Sequence, residues 1–212
     1  MKDLDFKEIL RKFGIVKYIE VVTALNENLE KFSVMDLDNA LYFISNCIYE
    51  SNEFKTLKES LYYTTPERLK LIFPSAFKER FNPNDYIKNT EKLANLVYSD
   101  IYFPQKKLGN TKPGQGFKYI GRGAIQITGY NNYKAITVES GIDFVNNPEL
   151  LETPFYSVVG SLAYWKMNNI NKVTSLRIAR SKVLGVSSGL AFNESLAKVE
   201  KIYKKLKTII WK

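Results

Sequence analysis

The sequence contains no histidine and a single cysteine, Cys47. The first absence excludes serine–histidine and cysteine–histidine nucleophiles, and one thiol leaves too few soft ligands for a zinc site. No metal and no cofactor are expected, so any acid–base chemistry falls to carboxylates. A lone cysteine also forbids an intramolecular disulfide; Cys47 lies inside a helical pattern and reads as a small buried hydrophobe. No apolar run approaches the length of a membrane span. The amino terminus, MKDLDFKEILRKFG, lacks the apolar core and small-residue cleavage site of a signal peptide. Synthesis in the cytoplasm is therefore expected. No internal repeat or low-complexity linker breaks the chain.

What is present suits one domain spanning residues 1–212, built on a single core or on two small lobes around a cleft. Hydrophobic residues make up 45% and charged residues 25%, the balance of a soluble globular protein. Net charge is +9, which raises local concentration near any polyanion. The lysines are spread along the chain and no nucleic-acid module is recognisable, so an anionic envelope is the expected partner and nucleic acid is not. The 14 tyrosines and 13 phenylalanines serve a dense core and also offer platforms for stacking sugars.

Periodicity is mostly helical. Asp5–Phe13 and Val16–Leu29 read as amphipathic helices. A third is expected after Ser33, placed three residues before Asp36 as in a capping box. Its apolar stripe is Leu37, Leu41, Ile44 and Ile48. Glu50 closes that helix on the flank of Phe43, Asn46 and Cys47, where the helix dipole and aromatic neighbours favour a protonated carboxyl. Lys55–Thr64 is short and β-prone. Further helices are expected over Pro66–Phe73, Asn84–Tyr98, Asn132–Ser140, Pro154–Met167, Val173–Leu184 and Asn193–Ile210, with a short one opened by Asn147-Pro148. Asp100–Gln115 reads as a long loop of the length that is often functional. The last helix sets Leu196, Val199, Ile202, Leu206 and Ile209 against five lysines, the pattern of a stripe packed on a core or, alternatively, of contact with an anionic membrane.

The densest signal is GQGFKYIGRGAIQITGYNNY, Gly114–Tyr133. Its glycines permit sharp turns and close backbone approach. Ala124–Thr128 alternates apolar with polar, which predicts a short strand exposing Gln126 and Thr128, with Asn131 and Asn132 beyond. Neutral amides and hydroxyls both donate and accept hydrogen bonds, which suits a hydroxyl-rich ligand such as a sugar. Arg122 reads as a brace that binds backbone carbonyls and holds the loop.

This block resembles the GRGxIQLTGxxNY segment of family 19 glycoside hydrolases, in the lysozyme-like branch found in phage endolysins. Tyr49-Glu50-Ser51-Asn52-Glu53-Phe54 and Glu59-Ser60-Leu61-Tyr62-Tyr63 are similar to that branch's HESGGF and ENLNYS segments, with the same spacing between the two glutamates. Leu93–Tyr98 and Leu108-Gly109-Asn110 fit the segment before the glycine block. The resemblance implies a mainly α, lysozyme-like fold: two helical lobes, a small β-hairpin region and a central cleft. It implies Glu50 as general acid, Glu59 as general base and Thr128 as the hydroxyl holding the attacking water. Gln126, Asn132, Tyr62 and Tyr133 become sugar-binding residues.

By the same resemblance the substrate is peptidoglycan, cut between N-acetylmuramic acid and N-acetylglucosamine by an inverting two-carboxylate mechanism. The protein would act as a monomer in a phage or prophage lysis cassette, reaching the wall through holin-type release and carrying no separate wall-binding module. Chitin is the alternative substrate, and a non-catalytic glycan-binding protein the alternative class; retention of both glutamates argues against the latter. Departures from the pattern include Glu53 in place of a glycine, which reads as a surface charge. Tyr49 replaces a histidine, Leu184 an asparagine in a VNGGxNGL-like turn, and Asn193 stands about where an arginine is expected.

Overall fold

The computed structural model describes residues 4–16 and 19–211. Met1–Asp3, at the expected amphipathic amino terminus, and Lys17-Tyr18, inside the expected second helix, lie outside them.

The described residues form eleven α-helices joined by loops and short 3-10 turns. In chain order they are α1 (Phe6–Phe13), α2 (Ile19–Asn28), α3 (Leu37–Glu50), α4 (Pro66–Ile72), α5 (Pro74–Phe77), α6 (Thr90–Val97), α7 (Gln115–Lys118), α8 (Tyr130–Ser140), α9 (Pro154–Met167), α10 (Leu176–Leu184) and α11 (Leu190–Ile210). Their starts follow local chemistry. Asp5 caps α1 by accepting from Glu8 N at 3.0 Å, and Ser175 caps α10 through Ile178 N. Proline occupies the first turn of α4, α5 and α9, where its missing N–H costs no hydrogen bond. The cap of α3 is Asp36, whose carboxylate accepts from Asn39 N at 2.8 Å. Ser33, expected to open that helix, instead turns the chain after α2 at φ 60°.

Two apolar cores divide the chain. The larger collects α1, α2, α3, α8, α9, α10 and α11 around Phe43, Leu162 and Trp165. Within it α3 packs against α9, α10 and α11, so it is the buried axis of this lobe. Asn39 ties it to α9 by accepting from Trp165 Nε1 at 2.9 Å. The smaller core holds Leu61, Leu69, Phe77, Leu93, Val97, Phe103 and Ile120, contributed by α4, α5, α6 and the loops around them. The glycine block bridges the two: Tyr119, Ala124, Ile125 and Ile127 enter the larger core and Ile120 the smaller.

The expected β-hairpin is reduced to two isolated antiparallel bridges, Lys58 with Arg122 and Arg122 with Ile127. Between Arg122 and Ile127 the chain makes a tight turn rather than a strand, with Gly123 at φ 82° and Gln126 at φ 57°. Ala124, Ile125 and Ile127 are therefore all buried, and the alternation of the sequence does not become two faces. The apolar stripe of α11 is also committed to the fold. Leu196, Val199 and Leu206 are buried, with Ile202 and Ile209 packed on the larger core. Lys205 donates to Phe13 O at 2.8 Å, and Lys207 pairs with Asp38 at 3.3 Å. That leaves α11 without the apolar face a membrane-surface helix needs. No helix of the described residues is long and apolar enough to cross a membrane.

Candidate active site

Glu50 is the last residue of α3, carried to one edge of the larger core by a helix whose middle is fully buried. Arg180 of α10 meets it there: Nη1 lies 2.5 Å from Glu50 Oε1. The contact is a close ion pair without hydrogen-bond alignment, since Oε1 is buried and has no donor directed at it. Arg180 is 1% exposed and is held on every side. Nη1 donates to Asn46 Oδ1 at 3.1 Å, Nε donates to Ser195 Oγ at 3.3 Å, and the guanidinium lies 4.8 Å from the centre of the Tyr49 ring. Tyr49 thus supports Arg180, a role open to it because its ring offers a π face to the cation. Asn193, where the resemblance expects an arginine, is exposed at the start of α11. The cation beside Glu50 comes from α10.

After Glu50 the chain reverses through an unusual turn. Asn52, Glu53 and Phe54 all take left-handed conformations, at φ 49°, 61° and 63°. Such backbone costs non-glycine residues roughly 1–2 kcal/mol each, and it persists because its surroundings determine it. Ser51 Oγ donates to Cys47 O at 2.6 Å and accepts from Phe54 N at 2.8 Å; Glu53 N donates to Ile48 O at 2.8 Å. Phe54 is 3% exposed, its ring sunk in the larger core. This conformation accounts for the glycine that the resemblance expects at position 53. The Glu53 side chain is a surface charge paired with Lys55 at 2.6 Å.

Glu59 lies where the returning chain meets the glycine block. Its N–H donates to Gly121 O at 2.9 Å. Its carboxylate is held at both oxygens: Gly121 N donates to Oε1, and the Tyr98 hydroxyl donates to Oε2 at 2.7 Å. Gly121 leaves little room to spare: a Cβ there would stand 3.1 Å from both Glu59 Oε1 and Gln126 Oε1, and those side chains would have to give by a few tenths of an ångström. The same measurement places the Gln126 amide beside the Glu59 carboxylate. From Gln126 a chain of hydrogen bonds runs onward. Thr128 Oγ1 donates to Gln126 O at 3.1 Å and Asn132 Nδ2 donates to Thr128 O at 2.8 Å. Glu59, Gln126, Thr128 and Asn132 therefore form one polar strip, each partly buried. Tyr62, three residues beyond Glu59, is 57% exposed.

Tyr133 is corrected by the structure. It is 0% exposed, its hydroxyl donating to Ile120 O at 2.8 Å and accepting from Arg122 Nη1 at 3.2 Å. A ring enclosed in this way braces the block and does not touch sugar. Arg122 is the brace expected of it, donating to Lys118 O at 2.8 Å and pairing with Glu152 at 2.7 Å. Two residues near the carboxylates escaped sequence reading. Tyr98 falls inside a recognisable segment, but its link to Glu59 is tertiary. Arg180 carried a signal, a cation on the apolar side of α10 between Ala179 and Val183. A separate groove of about 500 Å³ lies on the smaller lobe, lined by residues that include Tyr86, Asn95, Tyr102 and Lys112. Glu91 is the only carboxylate among its lining residues, so it lacks the pair that hydrolysis needs.

Residues 94–187 match the family model described as chitinase class I, glycoside hydrolase family 19. The matched span contains the whole glycine block and begins after both glutamates. A glycosyl hydrolase family 19 domain-containing protein of Haemophilus influenzae is 29% identical over 172 residues, covering 80% of this chain and 82% of that one. The chain is therefore similar to family 19 glycoside hydrolases over much of its length. Its fold agrees. Chitinase C from Streptomyces griseus superposes with a TM-score of 0.61 at 18% identity, covering 96% of this chain and 92% of that one. A mutant form of chitinase C gives 0.59 at 16% identity over the same shares.

Proposed function

We propose that this protein is a glycoside hydrolase that cleaves peptidoglycan at the β-1,4 bond between N-acetylmuramic acid and N-acetylglucosamine, by inversion, with Glu50 as general acid and Glu59 as general base. The observation that carries this reading is the Glu59 carboxylate, fixed at the seam of two cores beside the amide-lined strip of Gln126, Thr128 and Asn132. An ionised carboxylate has about four lone-pair positions, and Tyr98 and Gly121 occupy two. The others remain to accept a proton from water as that water attacks the sugar. On the opposite side of the bond, Glu50 gives a proton to the leaving oxygen. Among the described residues no donor is bonded to its Oε2, the oxygen best suited to that transfer. Thr128 steadies the water, and Gln126, Asn132 and Tyr62 bind sugar hydroxyls and acetamido groups.

Peptidoglycan is favoured over chitin by the lysozyme-like motifs around both glutamates and by the net charge of +9, which matches an anionic wall. The route to that wall would be a holin-type pore in a phage or prophage setting, with the enzyme working as a monomer. A chitinase is the second reading, since the matching family model is described as chitinase class I and the superposed structures are chitinases.

A salt series on two substrates separates the readings. Capture of an anionic wall by exposed lysines is long-range, and salt screens it over about 10 Å at 0.1 M. Lysis of purified walls is expected to fall severalfold between low and physiological ionic strength, while cleavage of a small neutral muropeptide stays within about twofold. Rapid cleavage of chito-oligomers with intact walls untouched would move the assignment to chitin.

A further inference from the structure

We infer that Tyr98 is a positioning residue for Glu59, and that Lys106 and Asn110 hold Tyr98 for that purpose. The inference rests on the reading of Glu59 as the base. Tyr98 follows the last residue of α6, and both its ends are tied down. Its carbonyl accepts from Asn110 Nδ2 at 2.9 Å, and the same Asn110 accepts from Tyr130 N at 3.0 Å at the start of α8. The loop from Asp100 that delivers Asn110 is itself closed, because the Asp100 carboxylate accepts from Leu108 N at 3.0 Å and Gly109 N at 2.6 Å. Against the ring of Tyr98 lies the ammonium of Lys106, 5.4 Å from its centre, fixed by donation to Val97 O at 2.5 Å. The phenol is thereby set from the smaller lobe, with its hydroxyl reaching across to Glu59 Oε2 at 2.7 Å.

This arrangement gives Tyr98 one chemical state. Burial pushes its hydroxyl far above the ordinary phenol range, and the neighbouring Glu59 charge adds to the shift. It is therefore a permanent donor that never competes with Glu59 for the water's proton. Gly121 N holds Oε1 from the glycine block while Tyr98 holds Oε2 from the other side. The carboxylate plane cannot rotate, and its remaining lone pairs keep a single direction. General-base catalysis depends on that direction, because the proton must move along a hydrogen bond of about 2.6–3.2 Å.

Tyr98→Phe keeps the ring and its packing and removes only the donor. Its kcat on purified peptidoglycan is expected to fall about ten- to a hundredfold, the worth of a hydrogen bond to a charged group. KM should stay within about twofold and the melting temperature within a few degrees. Gly121→Ala disturbs the same carboxylate from the opposite side, since its methyl would stand 3.1 Å from Oε1. It should lower kcat as well, and because the same methyl would stand 3.1 Å from Gln126 Oε1 it should also raise KM. In a Glu59→Gln background, Tyr98→Phe should add no more than about twofold, because the partner it positions is gone. Tyr98→Phe with wild-type kcat, or a loss in both variants confined to KM, overturns the inference while Glu59→Gln stays inactive. An active Glu59→Gln instead overturns the reading of Glu59 as base.

Discussion

Replacing Glu50 with glutamine should reduce hydrolysis of purified peptidoglycan by about 100- to 10,000-fold, the usual worth of a positioned general acid. The amide is nearly isosteric with the acid and can stay beside Arg180, but it has no proton of suitable acidity to give to the leaving oxygen. Binding of glycan should persist, because the polar strip of Gln126, Thr128 and Asn132 is untouched. Thermal unfolding must be recorded alongside. Arg180 is 1% exposed, and a buried cation that loses its partner costs several kcal/mol. If the amide keeps that contact, the melting temperature moves by only a few degrees. A variant with intact fold and more than a few per cent of wild-type activity would show that Glu50 does not supply the proton.

Glu59→Gln should be nearly as damaging, with a loss of about 100-fold or more. The Gln side-chain nitrogen is a donor, so it cannot accept the proton of the attacking water, and at one of the two oxygen positions it opposes Gly121 N or the Tyr98 hydroxyl. Glu53→Gln and Glu67→Gln are the controls. Glu53 is tied to Lys55 on the surface, and Glu67 is exposed in the first turn of α4. Both should retain most of the activity, measured as initial rates of reducing-end release. Strong loss at Glu53 with little at Glu59 would assign the base to the wrong carboxylate.

How far the site could be read in advance depended on whether the signal was local. Helix α9 was legible to the residue, because Pro154 sets its first turn and a mostly apolar run, interrupted only by small residues, follows. The glycine block was legible through its motif and lies inside the span that matches the family model, which starts after both glutamates. The strand at Ala124–Thr128 was misread because period-two alternation also fits a tight turn. In this turn Gly123 and Gln126 take left-handed backbone and send Ala124, Ile125 and Ile127 into the same core. Tyr133 sat in a binding motif but serves to brace it, since burial is a property of the fold and not of the motif. Arg180 was the hardest. It lies far from Glu50 along the chain, and no motif pointed to it. Only the packing of α10 on α3 brings the guanidinium to the carboxylate.

The central claim is the identity of the bond cut, and the new chain ends report it directly. Purified peptidoglycan digested to completion is reduced with borohydride, and the reduced sugar at each new end is identified by mass spectrometry. Cleavage between N-acetylmuramic acid and N-acetylglucosamine by this enzyme predicts muramitol at every new end. Glucosaminitol ends, or an undigested wall beside rapid turnover of chito-oligomers, would contradict it.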